Sequence, residues 1–159
     1  MTVFVLGIGS NINARYQCRQ MIIALEQRFG EVRISELVTT KAVGLEAPDY
    51  MNRVVCFESD ITVEALQQWC KKLEERLGRD RGQSLCCAAD VDLLLAVNRT
   101  EDLTAGNIMS LIKEPWFRPL VAELLNCDAR GCAVLEMPHK VGRTKEKKGH
   151  LKKGGQRGS

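Results

Sequence analysis

Histidine is nearly absent from this chain, with only His139 and His150 among 159 residues, and the seven cysteines form no Cys-x-x-Cys pair. Zinc sites are built from those two residue types at short spacings, so the sequence argues against one. An odd number of cysteines, with Cys86 and Cys87 adjacent, also argues against a disulfide scaffold. They read as small buried apolar residues. Long apolar runs are missing too. Val3–Ile8 is too short to span a bilayer and has no basic flank before it, so neither membrane insertion nor a signal peptide is expected and the expected compartment is the cytoplasm. Aromatic residues make up 5% of the chain, too few for a sheet that stacks RNA bases.

What remains is an ordinary globular composition, 45% apolar and 27% charged, at a length that suits one domain with a real core. The formal net charge of +3 is unevenly spread: residues 140–159 hold eight basic side chains against one acid, leaving the rest net acidic. From Lys140 onward Gly, Lys and Arg dominate and almost nothing can be buried, so a single domain over 1–139 and a basic, disordered tail over 140–159 are expected. Nucleic acid is expected to bind only nonspecifically, through that tail.

Periodicity orders the domain. Val3–Ile8 reads as a buried strand ending in Gly9-Ser10-Asn11, a turn and helix-start signal. Met21, Ile22, Leu25 and Phe29 share one face of a helix from Ala14 to Phe29, which Gly30 stops. Glu31–Thr40 reads as a second strand and Lys41–Asp49 as a loop. Tyr50–Ser59 alternates as a third strand, with Met51, Arg53, Val55 and Phe57 on one face and Tyr50, Asn52, Val54 and Cys56 on the other. A second helix opens at Asp60-Ile61-Thr62, carries Glu64 in its first turn and Leu66, Cys70, Leu73 and Leu77 at helical spacing, and ends at Gly78. A fourth strand follows the polar loop Arg79–Cys87. The expected fold is therefore α+β, a ferredoxin-like βαββαβ antiparallel sheet with helices on one face. C-terminal additions follow: a helix within Asn107–Glu114 interrupted by Pro115, a short helix at Pro119–Leu125, and a strand at Cys132–Met137.

The fourth strand contains the chemistry. In Ala88-Ala89-Asp90-Val91-Asp92-Leu93-Leu94-Leu95 two aspartates occupy a β run, where Asp is depleted. Alternation puts Asp90 and Asp92 on one face and Val91 and Leu93 on the other. Neighbouring carboxylates repel unless a cation or donors lie between them, and a hard cation such as Mg2+ shared with phosphate oxygens would resolve that repulsion. A strand with one solvent-facing side accounts for the same residues, and the motif alone leaves both readings open.

Three pieces taken together resemble the 6-hydroxymethyl-7,8-dihydropterin pyrophosphokinase family of folate biosynthesis: Gly9-Ser10-Asn11, Pro48-Asp49-Tyr50-Met51-Asn52, and Leu73-Glu74 with Gly78-Arg79-Asp80-Arg81 and Asp90-Val91-Asp92-Leu93. The resemblance is continuous from about Thr2 to Leu95 and patchy to Leu125. It implies an ATP- and Mg-dependent transferase that moves pyrophosphate from ATP to the hydroxymethyl group of a reduced pterin and releases AMP. It also implies that Asp90 and Asp92 hold two Mg2+ ions and act catalytically with Arg79. Tyr50, Asn52, Gly9 and Ser10 are implied on the pterin side, and Glu74, Arg79, Arg81 and Lys113 on the nucleotide side. A monomer is expected.

The chain also departs from that family. Leu85, Cys86 and Cys87 stand where the family has Gly-Pro-Arg, and a neutral thiol cannot make the forked contact of a guanidinium. The loop before them is shorter and lacks the family's Trp. Gly106-Asn107-Ile108 replace Pro-His-Tyr, Lys113 replaces an arginine, and Pro115 replaces the aromatic that sandwiches the pterin, with Trp116 and Phe117 beside it as substitutes or as core. Two readings follow: a working but divergent pyrophosphokinase, or a non-catalytic relative that binds nucleotide, pterin or a protein partner.

Overall fold

The computed structural model describes residues 1–41, 48–83, 85–98 and 110–128, with side chains to residue 125. The expected strand at Cys132–Met137, the tail over 140–159, and most of the loop Lys41–Asp49 lie outside the described residues.

Strand β1 (Thr2–Ser10) is the spine, with every residue after Thr2 buried. Only a strand hydrogen-bonded on both sides and covered on both faces reads as a continuous apolar run. It pairs antiparallel with β4 (Tyr50–Ser59) on one side and β5 (Asp90–Val97) on the other. Helix α1 (Ala14–Phe29) ends at Gly30, whose φ of 87° suits glycine. Helix α2 (Val63–Arg76) starts at Thr62, whose hydroxyl accepts from the Ala65 N–H at 3.1 Å, a cap worth ~1 kcal/mol.

The expected second strand is two short ones, β2 (Arg33–Ile34) and β3 (Val38–Thr40), both paired with β4. Ile34 faces Val55 while Val38 faces Asn52, so one extra residue sits between them. Ser35 causes the break. It donates its backbone N–H to the Val54 carbonyl, and its hydroxyl takes the Val54 N–H at 2.8 Å in place of a ladder carbonyl. The sheet order is β2-β4-β1-β5, with β3 also on β4, and the architecture is α+β and ferredoxin-like.

Helices α1 and α2 cover one face. Phe4, Leu6 and Ile8 of β1, Val55 and Phe57 of β4 and Val91 of β5 pack there against Met21, Leu25, Leu66 and Leu73. The C-terminal addition covers part of the other face, so helices do not lie on one side alone. A 3-10 turn (Pro115–Phe117) and helix α3 (Arg118–Asp128) bring Phe117, Leu120, Val121 and Leu125 onto Val3, Val5, Val54, Cys56 and Leu95. Pro115 therefore opens this addition. Of the helix expected within Asn107–Glu114, only Ser110 and Leu111 are helical among the described residues.

A bulge lets β5 serve both cores. Leu6 faces Leu93 but Val5 faces Leu95, so Leu94 is the extra residue. Val91 and Leu93 pack on the α1/α2 side, while Leu95, two residues further, packs beneath α3.

Candidate functional site

On the face opposite α1 and α2, β1 reads Val3, Val5, Gly7, Gly9. The valines bury against α3, and beyond them the strand offers no side chain. Each glycine admits a close neighbour. A Cβ at Gly7 would lie 2.5 Å from the Phe117 ring, and one at Gly9 would lie 2.8 Å from the Asn52 Oδ1. Phe117 is therefore core packing. Asn52 sits opposite Gly9, is 3% exposed, and donates to the Thr40 hydroxyl at 2.9 Å. Tyr50, two residues earlier, sets its ring against Gly9.

Across β1 from Asn52 lie the aspartates. Asp90 faces Gly9 and Asp92 faces Gly7, so both point to one side of the sheet, away from Val91 and Leu93. Among the described residues β5 pairs only with β1, and its outer edge looks onto α2. There Glu74, 4% exposed, reaches past the edge and accepts the Val91 N–H at 2.7 Å. One oxygen each of Glu74, Asp90 and Asp92 lie within 4.8 Å of one another. The loop after α2 adds the cations. Arg81 bonds Glu74 at 2.8 Å, and Arg79 lies 3.4 Å from Glu74 and 3.3 Å from Asp90 while donating to the Ala89 carbonyl at 2.9 Å. A groove of about 260 Å3 runs between these residues, with Gln67, Cys70 and Lys71 as its α2 wall.

The carboxylates are too close to be ordinary. Desolvation, then the charges of Asp90, Glu74 and Glu114, push the Asp92 carboxyl up to about 7, although the residue keeps an open, water-facing side. Burial also raises Glu74, opposed by the Val91 N–H and by Arg79. Nearby thiols stay protonated: burial pushes Cys70 to about 12 and raises Cys87 above its usual range, the latter against a hydrogen bond from Tyr50 and the charge of Arg79.

The fold thus brings together Glu74, Arg79, Arg81, Asp90 and Asp92, and places Tyr50, Asn52 and Gly9 beside them on the same face. Ser10 and Lys113 do not open onto the groove. Ser10 follows Gly9 at the end of β1 but is fully buried, its hydroxyl bonded to the Ile12 and Cys87 carbonyls. Lys113 is exposed on the segment leading into the 3-10 turn.

Three further residues contribute, of which the sequence marks only Asn11, within Gly9-Ser10-Asn11. Asn11, 5% exposed, donates to the Leu85 and Pro48 carbonyls and accepts the Cys87 N–H at 2.6 Å, tying three loops together. Gln17 donates to the Leu77 and Ala88 carbonyls at 2.7 and 3.1 Å, joining α1 to the segments on either side of the arginine loop. Its spacing from Met21 and Ala24 was the only available signal, a polar residue on a buried stripe. Glu114 adds negative charge near Asp92, and nothing in its local sequence sets it apart.

A family model described as 7,8-dihydro-6-hydroxymethylpterin-pyrophosphokinase (HPPK) matches residues 5–147. No curated protein matches the chain. No helix among the described residues is long and apolar enough to cross a membrane.

Proposed function

The chain belongs to the 7,8-dihydro-6-hydroxymethylpterin-pyrophosphokinase family, and on that premise we propose that it transfers the pyrophosphoryl group of ATP to the hydroxymethyl oxygen of a reduced pterin in folate biosynthesis. That oxygen bonds to the β-phosphorus and loses its proton. The bond from the β-phosphorus to the α–β bridging oxygen breaks, and its electron pair leaves with AMP.

One observation carries the reading: three carboxylates converge within 4.8 Å beside two guanidinium groups at the mouth of a groove. Hard oxygen donors suit magnesium, and desolvation together with the charges of Asp90 and Glu74 raises Asp92, a repulsion that a divalent cation relieves. Asp90 and Asp92 are the residues to hold it. Magnesium bound there would withdraw charge from the triphosphate and ease departure of AMP. Arg79 and Arg81 line the same groove and supply positive charge for phosphate oxygens. Asn52, fixed by Thr40, is the candidate reader of the pterin edge, with Tyr50 against its plane.

A second reading, ligand binding without turnover, is favoured by one feature. Cys87 stands where the family carries a phosphate-gripping arginine, and its raised thiol supplies no charge at neutral pH. Losing one charge-assisted contact costs roughly ten- to a hundredfold.

A coupled assay for AMP, run beside calorimetry, separates the two. With saturating Mg-ATP and hydroxymethyl-dihydropterin, AMP is expected to form and to disappear in Asp90→Ala and Asp92→Ala. Magnesium-dependent nucleotide binding without AMP would establish the second reading, and neither signal would overturn both.

A further inference from the structure

Glu74 was expected among the residues that contact nucleotide. Its oxygens are already engaged. Oε1 holds Arg81 at 2.8 Å, and Oε2 accepts the Val91 N–H at 2.7 Å with Arg79 at 3.4 Å. The side chain is buried on α2 beside Leu66, Cys70 and Leu73, and it reaches round the sheet edge to a backbone group that no strand pairs among the described residues. Val91 lies between the two aspartates, so this bond fixes the segment that sets their spacing.

Building on the pyrophosphokinase reading of the groove, we propose that Glu74 is a positioning residue, which holds Arg81 off the aspartates and presents it to an incoming triphosphate. Arg79 already lies 3.3 Å from Asp90. Without the Glu74 carboxylate Arg81 would join Arg79 in having the aspartates as the nearest acids of the groove, and a guanidinium seated between Asp90 and Asp92 competes with the metal. With Glu74 in place the pair keeps at least one acid free, and the arginines exchange one anion for another when phosphate arrives. Arg81, more than half of whose side chain is exposed, can swing out at small cost. The charge balance is compatible with this: Glu74, Asp90 and Asp92 against Arg79, Arg81 and Lys71 leave the groove close to neutral, so that neither a divalent cation nor a nucleotide is strongly repelled.

The proposal predicts a sign. Removing a negative charge near a triphosphate should tighten binding by simple electrostatics. Loss of arginine positioning should weaken it. Affinity for magnesium with a non-hydrolysable ATP analogue is to be measured by calorimetry in wild type, Glu74→Gln, Arg81→Gln and the double variant. Each single change is expected to weaken binding by about tenfold, the scale of one charge-assisted bond. The double variant is expected to be no weaker than the worse single one, because both act through the same guanidinium. Tighter or unchanged binding in Glu74→Gln, or losses that simply add, would overturn the proposal. Should Glu74→Gln fail to fold, Glu74→Asp keeps the charge and shortens the reach, and undiminished affinity in it would overturn the proposal equally. A wild type that shows no magnesium-dependent nucleotide binding would fail the reading of the groove itself, a result distinct from wild-type binding that the Glu74 variants leave intact.

Discussion

Asp92 is the residue whose chemistry is most open to measurement. Desolvation by the surrounding groove and its acidic neighbours raise it from 3.8 to about 7, so between those values the metal-free folded chain holds a proton that the unfolded chain has released. Stability then falls as pH rises through that window. The melting temperature without magnesium is expected to be higher near about pH 5 than near about pH 8, since the protonated Asp92 no longer repels its neighbours. Asp92→Asn should flatten the profile, and saturating magnesium should recover most of the loss at the alkaline end. A metal-free melting temperature that rises steadily from pH 5 to 8 would contradict the shift. This residue was legible in the sequence because β alternation has a period of two, which puts Asp90 and Asp92 on one side whatever surrounds them. Glu74 was not legible. A glutamate near the end of an amphipathic helix looks solvent-facing, and it becomes buried because it reaches the side of β5 that, among the described residues, no strand pairs.

At the scale of elements, Gly7 and Phe117 form a lock between the central strand and the C-terminal turn. Gly7→Ala places a methyl 2.5 Å from the ring Cζ, so the turn must move, at a cost of about 1–3 kcal/mol for an overpacked core. Urea unfolding should show a lower midpoint with an unchanged slope. Adding Phe117→Leu should return part of the loss, because the smaller side chain makes room for the methyl. The helices and the long strands were readable, since α1, β4 and α2 carry clean periodicity and recognisable ends. Two breaks in register were not. Ser35 divides β2 from β3 by using its hydroxyl in place of a ladder carbonyl, and a serine in a strand pattern gives no warning of that. The run Leu93-Leu94-Leu95 hides the bulge because all three side chains are apolar and any of them suits either core. The third helix was expected, but its placement on the opposite face depends on which face α1 and α2 leave bare, and that is tertiary information.

For the molecule as a whole, long-range polar ties matter as much as the cores. Asn11 binds backbone at positions 48, 85 and 87, and so holds together the loops that precede β4 and β5. Asn11→Ala removes these part-buried bonds, each worth about 1 kcal/mol. Hydrogen exchange is expected to quicken first around Leu85–Ala89, with the amides of β1 remaining the slowest. Uniform acceleration across the chain would mean that Asn11 supports global stability alone and not the loops. The bulge at Leu94 has a consequence on the same scale. It works as a clutch within a single strand, turning the half that serves the chemistry separately from the half that serves the packing. Lineages that gain or lose one residue beyond Leu94 would leave the acids in register with β1, whereas the same change between Asp90 and Asp92 would put the two carboxylates on opposite faces. Length variation among relatives should accordingly gather on the α3 side of that point.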